Sequence, residues 1–135
     1  MRPPRQGGPS DKTLPTPDPS QVQLIRSYGP GRFLISEREW RSPVLIARTL
    51  AVAWDVARAE DLSLVNLAPL RAAEPPVELL IVGCGPRAVF LPPPLRAELK
   101  SAGWALEIVD TGSVCRIYNV LLAEERRVAA APIPV

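Results

Sequence analysis

The chain reads as a single compact α/β domain: a small mixed β-sheet with crossover helices, preceded by a β-rich N-terminal half. Three observations carry that reading. Val77 to Val82 is an apolar run broken only by Glu78, which suits a strand covered on both faces. After it, strand-like and helix-like stretches alternate in the order β-α-β-α-β, the pattern of crossover connections onto a sheet. Before it, short β-like stretches are punctuated by glycine and proline, with no long helical period.

Taken in order, "MRPPRQGGPSDKTLPTPDPS" holds many of the chain's 17 prolines and almost nothing to bury. Residues 1–20 are therefore expected to be a disordered tail, with the domain spanning residues 21–135. "VQLIRSY" and "RFLIS" flank the glycine turn Gly29 to Gly31 and predict two short paired strands. "SPVLIA" continues the β-rich half, and "LAVAWDVA" suits a strand or a short helix by composition. Ala59 to Pro76 is a connecting segment with about one helical turn. After Val77 to Val82, three prolines precede Leu95, Leu99 and Ala102, so Pro93 or Pro94 can open a helix that ends at Gly103. "WALEIVD" is a strand. Val114, Tyr118, Leu121 and Leu122 then recur at helical spacing, and "RVAAAPI" closes as a strand.

Composition narrows the function. A formal charge of +2 with dispersed arginines gives no electrostatic footprint for nucleic acid. No apolar stretch approaches the roughly twenty residues of a membrane span, so no membrane insertion is expected. The chain is read as cytoplasmic, where unpaired thiols stay reduced. Cys84 and Cys115 lack C-x-x-C spacing and histidine is absent, so no metal site is expected and the usual general base is missing. No catalytic residue is assigned.

"VGCGPRA" contains the pattern G-x-G-x-x-A, which invites comparison with a dinucleotide fingerprint. In that device the glycines open a helix directly, so that pyrophosphate rests on its N-terminal N–H groups. Here the helix begins only near Pro93, about eight residues too late for the fingerprint. No dinucleotide cofactor is expected, nor any other. The glycines serve a tight exit from a buried strand, or close passage against the neighbouring segment.

A strand, G-x-G, a proline-led helix, a strand ending in Asp-Thr, then "C-R-x-Y-N-x-L-L-x-E" and "R-V-A-A-A" together resemble the Mth938-like domain family. The likeness covers Val22 to Val135, with "VDTGSVCRIYNVLLAEERRVAAAPIPV" its most specific part. It implies a compact α/β domain with a mixed sheet. The family includes a mitochondrial assembly factor for respiratory complex I and brings no established catalytic activity. The chain departs from the family pattern at Cys84 and Ile117, where threonine is common, at Glu125, where glycine is common, and at Pro132. This proline implies that the last strand lies at an edge or frays.

If the strands ending at Val82 and Val109 are parallel neighbours, their C-terminal ends share the edge where α/β sheets place ligands. Gly83, Cys84, Gly85, Asp110, Thr111, Cys115, Arg116, Tyr118 and Asn119 then form a candidate polar pocket, with Cys84 and Cys115 near neighbours. The plainer reading makes Asp110 or Thr111 a helix cap, Tyr118 a core residue and Asn119 a tie to a loop. Two functions follow: a non-catalytic interaction or assembly-factor-like domain whose partner is another protein, or a small-molecule-binding protein or enzyme using this edge.

Overall fold

The structure is a computed structural model that describes residues 22–135. The tail expected for residues 1–20 lies outside the described residues. β1 (Ile25–Gly29), β2 (Arg32–Ile35) and β3 (Arg38–Trp40) form an antiparallel sheet of their own. The glycine turn between β1 and β2 is where the sequence placed it. β3 carried no turn signal, because the link from β2 is Ser36–Glu37 and the left-handed position is filled by Ser36, at φ 53°, rather than by glycine. Ser36 is held there from β1's lead-in: its Oγ donates to Gln23 Oε1 at 3.0 Å and its N–H donates to the Leu24 carbonyl at 2.7 Å.

The larger sheet is mixed. It consists of β4 (Val44–Ile46), β5 (Ala51–Ala53), β6 (Leu79–Gly83), β7 (Ala105–Val109) and β8 (Val128–Pro132), in the order β5-β4-β8-β6-β7. β6 runs parallel to both β7 and β8, while β4 is antiparallel to β5 and β8. Of the stretch that suited strand or helix, Ala51–Ala53 is a strand at one edge. The connecting segment holds two short turns, a 3-10 turn at Ala59–Asp61 and the one-turn helix α1 (Ala68–Arg71). Helices α2 (Pro93–Ser101) and α3 (Thr111–Ala123) are the expected crossovers, and α2 opens on proline as expected.

Continuous apolar runs in β4, β6 and β8 arise because both faces of the sheet are covered. Leu45, Leu80, Val82, Ala129 and Ala131 meet α1, α2, Trp54 and Trp104 on one face. Val44, Ile46, Ile81, Val128 and Ala130 meet α3 and the small sheet on the other, around Phe33, Ile35, Trp40 and Tyr118. The path from β6 through α2 to β7 steps one way across the sheet, and the path from β7 through α3 to β8 steps back past β6. Right-handed crossovers in opposite directions place their helices on opposite faces, as found.

Pro132 does not mark an edge strand. β8 lies in the middle of the sheet, and Pro132 is opposite Gly83 of β6. Ile133 N–H donates to the Gly83 carbonyl at 2.9 Å, so by alternation the Pro132 nitrogen points the other way, toward β4. The β4–β8 ladder pairs at Ile46 and Ala130 and does not extend to that level, so no donor is missed there.

Candidate functional site

The C-terminal ends of β6 and β7 form the crevice that α/β sheets commonly use. The chain leaves β6 toward α2 on one face and leaves β7 toward α3 on the other, so the two ends diverge. In this protein the crevice is bridged by main chain. Cys84 N–H donates to the Val109 carbonyl at 2.9 Å, and Thr111 N–H donates to the Gly85 carbonyl at 2.9 Å. Thr111 is fully buried; its hydroxyl accepts from Gly85 N–H at 2.8 Å and donates to the Ile133 carbonyl at 2.6 Å. One hydroxyl thereby joins the exit of β6, the start of α3 and the end of β8.

Gly83 makes this approach possible. A Cβ there would lie 2.9 Å from Val114 Cγ2 and 3.2 Å from the Cα atoms of Pro132 and Thr111. Close passage is therefore its role, and Gly85, at φ 101°, supplies the turn that follows. Asp110 is the N-cap of α3: its carboxylate accepts from Ser113 N–H at 3.1 Å and Ser113 Oγ at 2.6 Å. Those bonds, side chain first, hold its carboxyl below the usual carboxylate range, with a smaller contribution from the Arg116 guanidinium. Arg116 is exposed and donates to Ser113 Oγ at 3.1 Å.

The remaining candidate residues point elsewhere. Cys84 continues the alternation of Leu80 and Val82 and packs on the α2 side, whereas Cys115 packs on the α3 side. The two thiols thus belong to opposite faces of the sheet. Burial pushes the Cys115 thiol up to about 11. Burial also raises Cys84, with help from the Glu60 and Asp110 carboxylates and against a hydrogen bond to the Val89 backbone. Neither is poised as a nucleophile at neutral pH. Tyr118 is fully buried with its hydroxyl donating to the Gln23 carbonyl at 3.2 Å, and burial raises its ionisation well above the ordinary phenol. Asn119 clamps β1: its amide donates to the Ile25 carbonyl at 2.8 Å and accepts from Ile25 N–H at 3.0 Å.

A cavity that the sequence did not disclose lies at the opposite end, around the starts of β6 and β8. It measures about 490 Å³ and is walled by Arg48, Leu50, Glu74, Val77, Glu125 and Arg126, among others. Its residues come from three separated segments, so no motif announces it. Arg48 and Glu125 approach to 4.0 Å across it. The single sequence signal was Glu125, which stands where glycine is common in the family. Glu125 indeed takes a left-handed φ of 64° just beyond α3. Among the described residues, no helix is long and apolar enough to cross a membrane.

Residues 25–133 match the family described as "Protein of unknown function (DUF498/DUF598)". The sequence is 40% identical over 111 residues to an uncharacterised protein of Rhodobacter capsulatus, covering 82% of this chain and 84% of that one. It is 30% identical over 117 residues to NADH dehydrogenase [ubiquinone] 1 alpha subcomplex assembly factor 3 of Xenopus tropicalis, covering 87% of this chain. The chain spans 64% of the length of that relative. Among solved structures, a Bordetella parapertussis protein superposes with a TM-score of 0.77 at 29% identity, covering 86% of this chain and 98% of that one. A Bordetella pertussis protein described as a Mth938-like domain superposes with a TM-score of 0.72 at 27% identity, covering 90% and 92%. Sequence match and superposition agree over nearly all of the described residues: the chain belongs to the DUF498/DUF598 family and has the Mth938-like fold.

Proposed function

We propose that this domain is a non-catalytic protein-interaction module that acts in the assembly of a larger complex, in the cytoplasm, with another protein as its partner. The observation that carries the reading is the bridged crevice. Thr111, Asp110, Gly83 and Gly85 spend their polar groups and close contacts on joining β6, α3 and β8, and Asn119 and Tyr118 spend theirs on β1. The likeness to a relative named as a complex I assembly factor supports the same reading. Without histidine, and with both thiols raised, the commonest general base and an activated thiol are missing.

Affinity capture of the full chain under native conditions, with native mass spectrometry of the purified protein, tests this. The expected result is a stoichiometric protein partner and a mass equal to the polypeptide alone. A small molecule retained by the native protein and released by Thr111→Val would instead support a ligand site at the strand edge, and would overturn the proposal.

A further inference from the structure

Four of the five large apolar side chains that are exposed among the described residues lie at one end of the molecule, the C-terminal ends of β6, β7 and β8. Phe90 is 77% exposed on the loop that leaves Gly85. Val89 before it packs against the core and Leu91 after it is fully buried, so the ring between them is held outward. Val65 is 84% exposed next to Asn66, whose Oδ1 accepts from Trp54 Nε1 at 3.0 Å. Trp54 follows β5, whose last residue Ala53 pairs with Val44; by the β4–β8 register, Val44 is level with Pro132. The Tyr28 hydroxyl abuts Gly112 in the first turn of α3, and the Val135 carbonyl accepts from Gly31 N–H at 2.6 Å. Exposed apolar groups gathered on one face, rather than scattered, mark an interaction surface.

We propose that this end is the face through which two copies of the chain pair about a twofold axis. The charges at its rim choose the occupant. Arg32 and Arg116, with the single Asp110 carboxylate beside Arg116, leave the flank made by the small sheet and α3 net positive; Asp55 and Glu60, beside the Arg58–Asp61 ion pair, leave the flank made by the segment after β5 net negative. None of Arg32, Arg116, Asp55 and Glu60 forms an ion pair among the described residues. Arg87 is exposed between the flanks, on the Phe90 loop. A uniformly acidic or uniformly basic partner would be repelled by one flank. A twofold contact sets the arginine flank of one copy against the carboxylate flank of the other, the self-complementarity that an isologous interface requires.

Sedimentation equilibrium of the full chain tests the pairing. At concentrations up to about 100 μM the expected species has twice the 14.7 kDa chain mass, and Phe90→Asp raises the dissociation constant at least about tenfold. Val120→Asp, at an exposed apolar site toward the other end of α3, leaves it unchanged. If Phe90→Asp loses its cooperative melt, Val65→Asp replaces it with the same expected shift. A wild-type chain that stays at 14.7 kDa throughout, or charged variants that pair as tightly as wild type, would overturn the proposal. So would a monomer that captures a different protein through Phe90, a result that would leave the assembly reading standing.

Discussion

Glu125 occupies the position after the C-cap of α3, in the left-handed region at φ 64°. Around it, Arg126 N–H donates to the Leu121 carbonyl and Glu125 N–H to the Leu122 carbonyl, both at 3.0 Å, which is the Schellman arrangement that favours glycine. Glu125→Gly is expected to raise stability by about 0.5 to 1 kcal/mol in urea unfolding, because its pairing with Arg48 is long and exposed. Thr111→Val acts in the other direction. It keeps the shape but leaves the buried Gly85 N–H and Ile133 carbonyl unpartnered, for an expected loss of about 2 to 4 kcal/mol in the same experiment. Cys115 adds a pH dependence. Below about pH 9.0 its thiol is neutral in both states; between that and about 11 the unfolded chain gives up a proton that the folded chain keeps. Stability should therefore fall as pH rises through this window, by about 1.4 kcal/mol per unit for this group, and Cys115→Ala should reduce the slope, leaving the part due to Cys84 and Tyr118, which burial also raises. At this scale the sequence disclosed residue types well and partners poorly. Asp110 as a cap is a local event three residues long, whereas the Thr111 bonds join positions 22 and 26 residues apart, and no spacing rule reports them.

The elements themselves were legible wherever a side-chain period or a turn residue marked them. α3 shows the limit. Val114, Tyr118 and Leu122 form its buried stripe with Cys115, while Leu121, which shares the helical spacing, is only half-buried. Leu99→Ala in α2 and Leu122→Ala in α3 should each cost about 2 to 5 kcal/mol, as fully enclosed leucines do, and Leu121→Ala distinctly less. Equal losses at positions 121 and 122 in denaturant melts would mean that the face of α3 is wrongly placed. β3 escaped sequence reading for a related reason: three residues are too few to show alternation, and the turn before it uses serine.

For the whole molecule, the N-terminal boundary was drawn where apolar residues begin; Val22 packs against the core, and Gln23 N–H donates to the Arg48 carbonyl. A chain beginning at Val22 is expected to keep the unfolding midpoint of the full chain, measured by thermal denaturation; a fall of several degrees would place part of the tail in the structure. The parallel pairing of β6 with β7 was readable from the β-α-β order. The insertion of β8 on the other side of β6 was not, because strand order is decided by which crossover returns and by what the second face must cover.

That insertion governs when the protein can form. β4 and β5 come early in the chain, yet their connection to the rest of the large sheet is β8, which is made long after them. While the ribosome still holds residues 128–132, β4 has no neighbour on that side, and Val44 and Ile46 have no sheet to complete. The small sheet and the β6-α2-β7 unit can condense as they emerge. Closure of the whole domain waits for the last strand, so the nascent chain spends most of its synthesis with a hydrophobic strand edge open, a period in which a chaperone or a second chain can reach it.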